Sequence, residues 1–145
     1  MANLRVEIVS PEVALWAGEA TAFIARSSEG FFTILPEHTD TVGDLVAGLV
    51  RVDTIEGEIA FVVHGGYFQV VHGPPDGETV VTVLAGVAEL VTQIDVARAQ
   101  AAKEAAEALL ANATREDATD PTSRRMALDA LARAELRLSA SVKSN

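Results

Sequence analysis

The chain has 145 residues, 49% of them apolar and 22% charged, the composition of a folded protein with one core or a core plus an appendage. A formal charge of −10 argues against nucleic acid as a partner and against direct adhesion to an anionic membrane. The absence of cysteine excludes disulfides, thiolate metal sites and a Cys nucleophile.

The first segment, Met1-Ala2-Asn3-Leu4-Arg5, lacks the basic start and apolar run of a signal peptide. Leu4–Val9 alternates apolar with charged residues, the period of a half-buried strand, and Ser10-Pro11 ends it. Further strands are predicted at 15–17, 21–26, 31–34, 44–46, 49–53, 59–64, 67–71, 80–84 and 87–90. Turn residues separate them, as at Leu35-Pro36-Glu37-His38 and Gly73-Pro74-Pro75-Asp76-Gly77. Gly65-Gly66, lying between two apolar runs, reads as a tight hairpin turn. About ten short antiparallel strands with no helical period among them predict an all-β sandwich over residues 1–90.

From Asp95 the period changes. Asp95 is an N-cap residue, and 96–113 contains neither Gly nor Pro. A polar stretch then leads to Asp120-Pro121, a cap followed by Pro at the first helical position. The second helix, 122–139, places Ala127, Ala130, Leu131, Ala134 and Leu138 on one face. Residues 91–145 therefore read as an αα-hairpin whose facing positions are rich in alanine, a seam that holds two helices weakly. The charge divides at the same place. Residues 1–93 hold three basic side chains against thirteen acidic, and 94–145 hold eight of each.

Catalytic chemistry is missing from the pattern. His38, His64 and His72 lack the spacing of a metal site and read as turn or strand-edge residues. No Gly-x-Ser-x-Gly elbow, phosphate-cradling Gly-rich loop or dinucleotide fingerprint occurs. One constellation stands out. Asp95 and Arg98 lie one helical turn apart, and Arg133 and Arg137 share a face of the second helix. A hairpin folded back on itself returns those late arginines toward Arg98, and three guanidiniums beside a helix start suit a polyphosphate. The spacing equally allows Asp95 as a cap alone, with the arginines a solvated face.

Three strings resemble one family. They are Gly30-Phe31-Phe32-Thr33-Ile34-Leu35-Pro36-Glu37-His38, then Gly65-Gly66-Tyr67-Phe68-Gln69-Val70, then Val81-Thr82-Val83-Leu84-Ala85 followed by Glu89 and Ile94-Asp95-Val96-Ala97-Arg98-Ala99. In order and spacing they are similar to the epsilon subunit of rotary F-type ATP synthases, over nearly the whole chain. The last string matches that family's nucleotide-associated Ile/Leu-Asp-x-x-Arg-Ala at every specified position. Thr33 stands where the family has Gly, and Asp40 where it has Pro.

The resemblance implies a non-catalytic central-stalk subunit of a proton-translocating complex on the cytoplasmic face of the cell membrane, membrane-associated through the complex only. Its sandwich binds the gamma subunit and rests on the c-ring, with Leu35, Pro36, Glu37 and His38 as the docking loop. Its hairpin switches between a folded-back state and an extended one that engages the catalytic alpha and beta subunits and blocks ATP hydrolysis. No cofactor or metal is implied, but in some members regulatory ATP favours the folded-back state. The matching positions are Glu89, Ile94, Asp95, Arg98, Ala99, Arg133 and Arg137. The alternative is a free-standing β-domain adaptor that docks a partner through an amphipathic tail.

Overall fold

In the computed structural model, which describes residues 3–73, 77–115 and 121–143, the chain divides into two compact units, Met1–Leu90 and Val91–Asn145. Eight strands occur among the described residues of the first: β1 Leu4–Val9, β2 Ala14–Ala20, β3 Ala22–Ser27, β4 Gly30–Ile34, β5 Thr41–Thr54, β6 Gly57–Gly73, β7 Glu78–Ala85 and β8 Ala88–Leu90. Their order is β2-β1-β7-β6-β5-β3-β4, with β8 added on β6. Every pair is antiparallel except β1 with β7, which run parallel.

The strand count is lower than the sequence predicts because two long strands were read as four short ones. β5 spans both 44–46 and 49–53, and β6 spans both 59–64 and 67–71. Gly65-Gly66 is therefore no hairpin turn; β6 runs straight through it. The physical reason lies in which residues face the core. Along β6 the inward side chains are Phe61 and Val63, then Phe68 and Val70, so the inward set moves from odd to even numbers. β5 does the same, from Leu45 to Val50 and Val52. Such a reversal needs an irregular step, which Gly65 and Gly66 supply with φ of 95° and 153°. A Cβ on Gly66 would collide with the Leu84 carbonyl oxygen, so only glycine fits.

The consequence is a sandwich whose layers share backbone. The late half of β6 pairs with β7 and the start of β5, whereas its early half pairs with β8 and the end of β5. β3 and β4 extend the second layer, β1 and β2 the first. Between the layers lie Leu4, Val6, Ile8, Phe23, Phe61, Phe68, Val70, Val81 and Val83, all buried. Phe32 stacks on Phe68 at 4.6 Å between ring centroids. In β1 the predicted alternation holds: Arg5 and Glu7 face outward and pair at 3.2 Å.

The second unit opens with a 3-10 turn, Val91–Gln93, followed by α1 Val96–Arg115 and α2 Pro121–Lys143. Both helices outrun their predicted ends. Asn112 and Thr114 are weak helix formers but not breakers, so α1 continues through them. α2 packs along α1 and also touches the 3-10 turn that precedes it, which makes the hairpin antiparallel. Among the described residues its fully buried helical positions are all alanine: Ala99 and Ala106 on α1, Ala127, Ala134 and Ala140 on α2. The spacing of seven in 99–106 and 127–134 marks one stripe per helix. The expected Asp120 cap and the turn over Pro74, Pro75 and Asp76 lie outside the described residues.

Candidate functional site

Two places in the molecule carry the residues singled out by sequence. The first is the loop after β4. Leu35, Pro36, Glu37 and His38 form a β-turn closed by the His38 N–H donating to the Leu35 carbonyl at 3.2 Å. Pro36 takes the second turn position, where its fixed φ is favourable, and Glu37 takes the third with φ of 73°. That left-handed conformation costs a non-glycine residue about 1–2 kcal/mol. Leu35 is 54% exposed at the tip.

The loop is tied down from outside its own sequence. The Glu37 N–H donates to Thr79 Oγ1 at 2.8 Å. The His72 N–H donates to Asp40 Oδ1 at 2.7 Å, and His72 Nδ1 lies 2.8 Å from Thr79 Oγ1. Thr79 is fully buried. Sequence reading found none of this, although Asp40, noted as standing at a family proline, is the residue that makes one of the bonds. A Pro there could not.

The outward face of β5, β6 and β7 carries exposed apolar side chains. Tyr67 pairs with Leu84 across β6 and β7, Val42 lies opposite Gln69, and Val42, Tyr67 and Leu84 are all more than half exposed. Exposed apolar side chains on one outward sheet face are candidates for a protein contact.

The second place is the set of proposed nucleotide residues. Glu89 sits on β8 opposite Val62, its carboxylate 3.8 Å from His64 Nε2. The His64 side chain is only 7% exposed, so it is a buried strand residue rather than a strand-edge one. Ile94, half-buried, donates its N–H to the Val91 carbonyl and closes the 3-10 turn. Asp95 is the N-cap that the sequence predicts: Oδ1 accepts the Arg98 N–H at 3.0 Å, and its carbonyl accepts the Ala99 N–H at 3.0 Å. A cap of this type is worth about 1 kcal/mol.

Ala99 is buried and Arg98, next to it, is exposed. On α2, Arg133 is exposed and Arg137 half-buried one turn later. The antiparallel hairpin carries both toward the end of the unit where α1 begins, as the spacing predicts. Among the described residues neither Arg98 nor Arg133 forms an ion pair. Glu89 belongs to the other unit.

No group of three or more His, Asp or Glu placed to hold a metal occurs among the described residues, and none of their helices is long and apolar enough to cross a membrane.

Comparison with known proteins agrees along the length of the chain. Residues 3–91 match the family described as ATP synthase, Delta/Epsilon chain, beta-sandwich domain. Residues 92–141 match the ATP synthase, Delta/Epsilon chain, long alpha-helix domain. The ATP synthase epsilon chain of Alkalihalophilus pseudofirmus is 41% identical over 120 residues, covering 83% of this chain and 85% of that one. The epsilon chain of Thermobifida fusca is 42% identical over 108 residues, 72% of this chain and 75% of that one.

Among solved structures, a chain of the Euglena gracilis mitochondrial ATP synthase (OSCP/F1/c-ring) superposes with a TM-score of 0.71 at 21% identity, covering 99% of this chain and 81% of its own length. One from the Tetrahymena thermophila mitochondrial ATP synthase central stalk and c-ring gives 0.52 at 13% identity, covering 95% and 96%. At those identities the structures speak for the fold alone. The sequence matches settle the family and leave no ground for a free-standing adaptor. The chain belongs to the ATP synthase delta/epsilon family as an epsilon chain, a non-catalytic subunit of the F-type complex.

Proposed function

We propose that this epsilon chain works in the central stalk of a proton-translocating enzyme on the cytoplasmic face of the membrane, with its two units dividing the labour. The sandwich docks: it binds the gamma subunit and rests on the c-ring, using the Leu35–His38 loop and the exposed Val42, Tyr67 and Leu84 stripe. The hairpin regulates. Folded back it permits ATP hydrolysis, and extended it reaches the catalytic alpha and beta subunits and blocks it.

One observation carries the regulatory half. Among the described residues every fully buried position of the hairpin helices is alanine. A fully buried Leu or Val contributes about 1.5–3 kcal/mol and a methyl group nearer 0.8. Two helices whose fully buried contacts are methyl groups, with Leu131 and Leu138 only half-buried, separate at smaller cost than a pair with buried leucines. Deleting residues 94–145 should raise ATP hydrolysis by the assembled enzyme several-fold; an unchanged rate would sink the inhibitory role.

ATP sensing is the finer part of the proposal, with Glu89, Ile94, Asp95, Arg98, Ala99, Arg133 and Arg137 as the nucleotide residues. Support comes from the motif, from the exposed Arg98 and Arg133, and from the helix start that Asp95 caps. ATP shifts the hairpin only by its preference for the folded-back state. Calorimetry of the full chain should detect ATP binding that Arg98→Ala abolishes. No heat in the parent chain would remove ATP sensing and leave the mechanical inhibition standing.

A further inference from the structure

We infer, resting on the docking reading of the Leu35–His38 loop, that Thr79, His72 and Asp40 are positioning residues that preset this loop for its partner. The loop holds a conformation that its own sequence does not favour. Glu37 sits at φ of 73°, a region where glycine or asparagine is the usual occupant. Such a backbone persists where the surroundings over-determine it.

The surroundings here are the ends of three strands. Thr79 pairs with Leu4 of β1 and with His72 of β6, and its N–H donates to the Asn3 carbonyl at 2.9 Å. It is thus fixed in the sheet and fully buried, with its hydroxyl presented to the loop. Thr79 Oγ1 takes the Glu37 N–H, a donor with no sheet partner at that point of the turn. The same oxygen lies 2.8 Å from His72 Nδ1, a second hydrogen bond that ties the hydroxyl to β6.

The same His72 holds the far end of the loop. The β5–β6 ladder begins at Thr41 opposite Val70, and beyond it the His72 N–H would face no backbone acceptor on β5. Asp40 Oδ1 fills that place. Two crosswise bonds therefore seize the loop at Glu37 and at Asp40. The loop's own bonds, His38 N–H to the Leu35 carbonyl and His38 Nδ1–H to the Thr39 carbonyl, are internal and attach it to nothing. A loop already held in its bound shape loses less freedom on docking and binds more tightly.

The test is rebinding of the full-length chain to ATP synthase depleted of this subunit, alongside amide exchange in the isolated chain. Thr79→Val and Asp40→Ala should each raise the concentration for half-saturation about tenfold. Thr79→Ser and Asp40→Asn retain the oxygen and should rebind as the parent does, a rescue that general loss of packing would not give. In the weakened variants the Glu37 or His72 amide should lose protection while Val81 and Val83 keep theirs. Leu35→Asp, at the exposed tip, tests the docking reading itself. If Leu35→Asp weakens rebinding but Thr79→Val and Asp40→Ala do not, the positioning role is overturned and docking stands. Parent-like rebinding by Leu35→Asp overturns both. Should Thr79→Val not fold, the exposed Asp40→Ala and its Asn partner decide the matter alone.

Discussion

In the body the largest fully buried side chains are Phe23, Phe61, Leu4, Ile8 and a set of valines; in the hairpin helices the buried residues are Ala99, Ala106, Ala127, Ala134 and Ala140. Both units are built from regular elements, so the hydrogen bonding of secondary structure does not separate them. Area does. Each body side chain removes a large apolar surface from water, and each hairpin alanine removes one methyl group. The body therefore keeps its tertiary structure as a fixed platform. The hairpin keeps its secondary structure more firmly than its pairing. The regulatory role proposed for the hairpin needs that separation, because an element that changes partners must do so without unfolding.

Three substitutions break or sharpen this contrast. The largest effect is expected from Phe61→Ala, which empties the centre of the sandwich beside Trp16, 6.2 Å away between ring centroids. It should cost about 3–5 kcal/mol in urea unfolding. A loss below about 1 kcal/mol would show that the body does not depend on its core and would remove the contrast. Next, Ala134→Leu forces a larger side chain into a fully buried position of α2. Overpacking should cost the pairing about 1–3 kcal/mol. The expected signature is a lower melting transition for the hairpin with the body transition unmoved; a shift in both would mean the units do not respond separately. The smallest effect is that of Asp95→Ala, which removes the acceptor of the Arg98 N–H and should cost about 1 kcal/mol of α1. Amide exchange at Arg98 should quicken, and Asp95→Asn should restore it.

What the sequence disclosed and what it hid follow from the range of the interactions. The β1 alternation, the Asp95 cap and the helical period depend on neighbours within a turn or a strand, and each was legible. The lengths of β5 and β6 were not. Their inward residues change parity partway along, and a pattern of period two that changes phase looks like two patterns with a break. Gly65-Gly66 deepened the error, because glycine pairs signal turns as readily as corners. The arginine constellation was readable to the level of which helix end each residue occupies. The loop frame was hidden for a different reason: Glu37 and Thr79 are 42 residues apart, and Asp40 and His72 are 32 apart. No local spacing announces a threonine that serves a loop from another strand. His64 is hidden from local spacing likewise, since the burial of its side chain beside Glu89 arises from the pairing of β8 with β6.

The corner in β6 has a mechanical meaning. In a sandwich held only by side chains, a sideways load on one layer is resisted by packing, which yields by slippage. Here β5 and β6 pass from one layer into the other, so the layers are joined by covalent chain at two places. Shearing them apart means stretching peptide backbone or stripping the ladder between the two strands, both far stiffer than a sliding contact. These two strands act as the cross-bracing of the sandwich.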